Sequence, residues 1–219
     1  MRLIQTLAIL GSIVVTSACA TTNSTGIADD VATAKPAERA KPVEPALVKA
    51  LPESFQSFEL QGFKHFEDGS GGYSVRYSNS NKRRIADLYI YPVAEENVDL
   101  EHSQLVLGST RATLMAIGEA TRQGHYSNFN VINAATRAQG LRTTARVQAT
   151  YLRDNLASYT LVYQTEHKGT LLKIRVTMPD NETNRKSREW DSFADNMFNQ
   201  AIESLEESHK RSSGTTASI

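Results

Sequence analysis

A single cysteine, Cys19, means that no disulfide can form within this chain, so any folded part is held by its own core. There is no excess of charge of either sign: 24 basic and 24 acidic residues give a formal net charge of +0. Nucleic-acid binders carry a basic excess, and that class is set aside. Beyond residue 19 no apolar run exceeds a few residues, far short of the roughly 20 that cross a bilayer as a helix. Compact chemical motifs are missing too. The five histidines, His65, His102, His125, His167 and His209, include no H-E-x-x-H and no short-spaced pair. No zinc set, phosphate loop or dinucleotide fingerprint is present, and no cofactor or metal is expected. Asp68-Gly69-Ser70-Gly71-Gly72 places a serine among glycines, but Gly69 separates it from Asp68 and no strand-to-helix elbow follows. It reads as a turn, and no catalytic residue can be named.

What is present begins at the N-terminus. Met1 and Arg2 form a short positive stretch, and residues 3–18 are mostly apolar. As a helix of about 16 residues at roughly 1.5 Å each, this segment is too short for a bilayer core of about 30 Å. Its flanks are those of a signal peptide. Val15-Thr16-Ser17-Ala18-Cys19 resembles the lipobox of bacterial lipoprotein precursors, departing from it at Thr16, where that family favours leucine. The resemblance implies cleavage before Cys19, lipid on Cys19 and a place in the cell envelope. Ala20 in the next position implies the outer membrane, facing the periplasm. The alternative is an ordinary signal cut after Ala20, giving a secreted or periplasmic soluble protein.

Residues 19–57 read as a tether. Pro36, Pro42, Pro45 and Pro52 lie here among small polar residues, and the stretch buries too little apolar surface to fold alone. Residues 58–205 read as one globular domain, and residues 206–219 as a disordered polar tail. Within the domain, residues 58–65, 73–77 and 85–91 are predicted strands. A helix follows over 100–123, with Asp99 as its N-cap, Gly124 as its stop and Leu107, Leu114 and Ile117 as its apolar stripe. Gly108, Ala112 and Ala116 would let it pack close to the sheet. Residues 131–138, 145–151, 158–164 and 171–178 are predicted as four more strands with antiparallel alternation. Trp190, Phe193, Ala194, Met197, Ala201, Ile202 and Leu205 fall on one face of a final helix. Its partner is the face carrying Tyr159, Leu172, Ile174 and Val176.

The fold class expected is therefore α+β, a single antiparallel sheet of about six or seven strands in the order βββ-α-ββββ-α, with two helices packed on it. By element order alone, residues 58–205 resemble the PsbP/Mog1-type arrangement. That resemblance implies an accessory or binding role without catalysis.

The candidate binding face is the set that alternates away from the final helix. It comprises Arg146, Gln148, Lys173 and Arg175, joined by Tyr89 and Tyr91 out of phase with Leu88 and Ile90. A polar, cationic, partly aromatic sheet face suits an anionic or glycan ligand or an envelope protein. Lys82-Arg83-Arg84 forms a basic hairpin tip. The expected function is a non-enzymatic envelope lipoprotein serving as a binding or assembly module. The alternative is an envelope hydrolase with an acid/base pair the sequence does not identify.

Overall fold

Period-two alternation over several consecutive stretches, separated by turns rich in Asp, Asn, Lys and Gly, builds antiparallel hairpins. The computed structural model describes residues 48, 50–66, 71–139 and 142–214. The elements run β1 (Ser54–Phe55), β2 (Phe58–His65), β3 (Tyr73–Asn79), β4 (Arg84–Pro92), α1 (His102–Arg122), β5 (Ser127–Gln139), β6 (Arg142–Arg153), β7 (Leu156–His167), β8 (Thr170–Pro179), α2 (Glu182–Lys186) and α3 (Glu189–Gly214). They form an eight-stranded sheet in the order β1-β2-β3-β4-β8-β7-β6-β5, and every neighbouring pair is antiparallel.

Two tight turns set the register of the second half. Asp154 and Asn155 both have positive φ, 52° and 60°, and so do Lys168 and Gly169, at 48° and 77°. Such left-handed pairs match the twist of the strands they join. At the β3–β4 connection the Asn79 side chain accepts a hydrogen bond from the Lys82 amide at 3.0 Å.

Helix α3 covers one sheet face. Trp190, Phe193, Met197, Phe198, Ala201 and Leu205 pack there against Tyr77, Leu88, Leu161, Ile174 and Val176. The Phe58 and Phe193 ring centroids are 5.0 Å apart. Fully burying an aromatic of this size is worth about 1.5–3 kcal/mol, and this cluster is the chief source of cohesion in a chain that cannot form an internal disulfide. Helix α1 lies across β5, β6 and β7, on the other face, where Ser109 and Thr113 meet Gln164.

The structure departs from the sequence-based expectation at several places. There are eight strands rather than six or seven, and a short helix, α2, precedes the last one. Strand β1 and the buried Val48 and Leu51 lie before residue 58, inside the stretch read as tether. Helix α3 continues past Leu205 to Gly214, through residues read as tail. Helix α1 starts after Glu101, not Asp99, with the Glu101 amide donating to Gln104 Oε1 at 3.2 Å. Its buried residues are Leu105, Val106, Thr110 and Ile117, while Leu107 is 51% exposed. Cys19, Ala20, the leader and Asp68 to Ser70 lie outside the described residues. No helix among the described residues is long and apolar enough to cross a membrane.

Candidate functional site

Cross-strand register decides which side chains share a face, because directly paired residues point the same way. Gln164 pairs with Lys173, and Val162 with Arg175. Tyr89 pairs with Lys173, and Asp87 with Arg175. Lys173, Arg175, Tyr89 and Tyr91 therefore share the α1 side. Arg146 pairs instead with Tyr163, and Gln148 with Leu161, both core residues beneath α3. The expected binding face is thus two sites on opposite sides of the sheet. The physical reason is that both faces are covered. Ala145, Val147, Ala149 and Tyr151 are apolar because they meet α1, so Arg146 and Gln148, expected to point away from the final helix, point toward it.

On the α3 side, Arg146 Nε lies 3.2 Å from Asp191 Oδ1, and Gln148 donates to Tyr159 Oη at 2.7 Å. Tyr163 also donates to Asp191, at 2.8 Å. The Arg146 and Tyr163 contacts to Asp191 fasten α3 to the sheet, and the Gln148–Tyr159 bond joins β6 to β7 beneath it. Arg84, read as part of a basic loop tip, is likewise engaged. It donates to Asn184 Oδ1 at 2.7 Å and lies over the Trp190 ring at 4.7 Å.

The α1 side holds a different arrangement. The Lys173 ammonium lies 4.3 Å from the Tyr89 ring centre and 5.8 Å from that of Tyr91. No carboxylate among the described residues pairs with it. Burial, reinforced by the neighbouring Arg175 charge, lowers its pKa to about 8. Arg175 donates from Nη2 to Tyr151 Oη at 3.1 Å and is flanked by the rings of Tyr126 and Tyr151. Its Nε is buried without a hydrogen-bond partner. The nearest acid in register, Asp87, gives both oxygens to Arg76, at 2.7 and 3.2 Å. Burial pushes Tyr89 up to about 12, with Asp87 adding to the effect.

Two spaces open beside these cations. The inner one, about 150 Å³, is lined by Tyr89, Ile117, Tyr126, Val162, Lys173 and Arg175 among others. The outer one is a groove of about 620 Å³ between the N-terminal half of α1 and the end of β4 and start of β8. Thr113, Ala116 and Lys173 line both. Gly108, Ala112 and Ala116 do not bring α1 against the sheet; Ala112 and Ala116 are exposed and all three line the groove. A short polar relay crosses its floor. Tyr91 Oη is 2.8 Å from Ser109 Oγ, Ser109 donates to Gln164 Oε1 at 2.5 Å, and Gln164 donates to Thr113 Oγ1 at 3.3 Å.

One histidine–acid pair is assembled nearby. His102, on the first turn of α1, hydrogen-bonds through Nδ1 to Glu166, whose other oxygen accepts from the Gly169 amide at 2.6 Å. Neither residue lines the groove, and the pair ties the start of α1 to the β7–β8 turn. Among the described residues no group of three or more His, Cys, Asp or Glu is placed to hold a metal. Tyr126, Tyr151, Ser109 and Thr113 were not singled out from the sequence. Tyr126 is marked there only by its place after the helix stop at Gly124, Tyr151 only as an apolar position in the β6 alternation, and Ser109 and Thr113 by nothing.

No family model matches the chain, and no curated protein matches it. Solved structures do. The solution structure of cyanobacterial PsbP from Synechocystis sp. is 15% identical, over 64% of this chain and 84% of that one, with a TM-score of 0.46. A protein of unknown function from Pseudomonas aeruginosa, titled a putative regulator, is 10% identical over 65% and 83%, with a TM-score of 0.36. The Ran-binding protein Mog1p of Saccharomyces cerevisiae is 12% identical over 69% and 93%, with a TM-score of 0.26. Each is a distant likeness of fold, and at these identities none speaks to ligand, partner or activity.

Proposed function

We propose that this chain is a non-enzymatic, membrane-anchored lipoprotein of a bacterial cell envelope, working as a binding module whose site is the groove under α1. The anchor rests on the lipobox-like Val15-Thr16-Ser17-Ala18-Cys19. Two acyl chains suffice for stable attachment, where one is marginal. Ala20 favours the outer membrane, facing the periplasm. The observation that carries the binding reading is the pair Lys173 and Arg175, held beside a groove with no carboxylate among the described residues to neutralise Lys173. A buried cation left uncompensated costs stability, and a bound anion would offset that cost. The hydrolase alternative needs an acid/base pair beside bound substrate, and His102 with Glu166 lies outside the groove lining.

Native mass spectrometry of the mature protein from envelopes tests both parts. The expected result is a lipid-modified Cys19 and a non-covalently bound anion that is lost in Lys173→Met. A bare thiol, or a cut after Ala20, overturns the anchor. A ligand-free wild type whose melting temperature is unmoved by envelope extract overturns the binding reading.

A further inference from the structure

We infer that the groove takes an amphipathic monoanion, a carboxylate on an apolar tail, with its head between Lys173 and Arg175 and its tail along Gly108, Ala112 and Ala116. This rests on the reading of the chain as a binding module and names the ligand's chemistry.

Four observations converge on that class. First, the head site is cationic and carries no competing acid among the described residues. No aspartate or glutamate among the described residues lines either space, and Asp87 is already bidentate with Arg76. Charge-assisted hydrogen bonds from an ammonium and a guanidinium to a carboxylate are the strong kind, and Arg175 Nε is a buried donor without an acceptor. Second, the inner space of about 150 Å³ is small and tyrosine-walled, sized for a compact head group. Third, that space adjoins the larger groove, with Lys173, Thr113 and Ala116 lining both. At about 620 Å³ the groove falls inside the roughly 300–1,000 Å³ of small-molecule sites. Fourth, the groove walls are apolar at Pro92, Val93, Leu100, Leu105 and Leu171, and the helix side presents residues too small to fill the space. A cation at one end and a groove with apolar walls but no second charged side chain in its lining select a ligand that is charged at one end only. A glycan fits poorly. Lys173 already lies over the Tyr89 and Tyr91 rings, where a sugar would stack.

The test uses the full chain in zwitterionic lipid nanodiscs, with empty nanodiscs as the baseline. Titrations with octanoate, 1-octanol and octyl phosphate are followed by calorimetry. Saturable octanoate binding is expected. Lys173→Met should weaken it by about tenfold or more, as loss of one charge-assisted contact does, and leave the weaker octanol binding unchanged. Lys173→Arg should retain most of the affinity. Ala112→Phe, an exposed helix position facing the groove, should abolish binding of all three while the melting temperature stays near that of wild type. Octanoate that fails to bind, or binds equally to wild type and Lys173→Met, overturns the inference. So does octyl phosphate binding more than about tenfold tighter than octanoate, which would assign a phosphate head. If octanoate fails but envelope extract still raises the melting temperature of wild type and not of Lys173→Met, the ligand class falls and the binding reading survives. If neither has an effect, both fall.

Discussion

The ammonium of Lys173 lies 4.3 Å from the centre of the Tyr89 ring, and that ring face, with the Tyr91 ring, is its principal compensation. A cation–π contact is worth about 0.5–2 kcal/mol, less than the several kcal/mol of burying an ion. The shortfall appears as the lowered pKa of Lys173, about 8, caused by burial and then by Arg175. The groups facing it are Tyr89 and Tyr91 from β4, Arg175 from β8, the Arg76–Asp87 pair beyond, and Ser109 and Thr113 from α1.

Anion affinity should therefore fall as pH rises through about 8. Below that value Lys173 is charged and binds the carboxylate; above it the amine is neutral. Octanoate titrations from pH 6.5 to 9.5 check this. A pH-independent affinity would contradict the assignment of the head group to Lys173.

Stability of the unliganded protein should move the other way. In the unfolded chain Lys173 keeps its proton up to the ordinary lysine range, so between about pH 8 and that range the unfolded state binds more protons. Folding stability then rises with pH, by at most about 3 kcal/mol. Above pH ~10 the trend reverses, because Tyr89 and Tyr77, both raised to about 12 by burial, hold protons that their unfolded counterparts lose. Lys173→Met should remove the rise between pH 8 and 10 and raise stability at pH 7 by about 1–2 kcal/mol. Urea unfolding across this pH range measures both.

Arg146→Ala should separate the two sides of the sheet. Arg146 lies 3.2 Å from Asp191 on the α3 side, so the variant should lose about 1 kcal/mol of stability and leave octanoate affinity unchanged. A loss of affinity comparable with that of Lys173→Met would mean that the two cations act on one ligand.

The His102–Glu166 contact should hold down the start of α1. Glu166 is 7% exposed, and its carboxylate joins the helix to the Gly169 amide. Glu166→Gln should destabilise the first turn of α1 locally, by about 1–2 kcal/mol, seen as faster amide exchange at residues 105–107 with little change in α3. His102→Ala should do the same. Unchanged exchange in both would show that the pair is incidental.

Much of this fold is legible in the chain because alternation and turn chemistry agree. Leu172, Ile174, Val176 and Met178 alternate with Lys173, Arg175 and Thr177, and the Lys168–Gly169 turn leaves no other pairing for β7 and β8. The final helix is equally plain from Trp190 to Leu205. Alternation divides a strand into two faces but does not say what covers each. In β6 the apolar residues Ala145, Val147, Ala149 and Tyr151 face α1, while Arg146 on the opposite face reaches Asp191 of α3 and Gln148 bonds to Tyr159 on the neighbouring strand β7. That reversal split the expected binding face. Strand β1 is two residues long, too short for any period. The end of α3 carries no apolar stripe beyond Leu205, so its continuation to Gly214 leaves no hydrophobic signal. The groove was hidden because Gly108, Ala112 and Ala116 suggest close packing, and only the tertiary structure shows them standing beside open space.

The most direct measurement is isotope-edited NMR of the protein with bound 13C-octanoate. Nuclear Overhauser contacts from the ligand's terminal methyl and methylenes to the Ala112 and Ala116 methyls, with a shift of the Lys173 side-chain nitrogen, are the expected result. Contacts confined to the α3 side around Arg146, or no contacts at all, would contradict a binding site under α1.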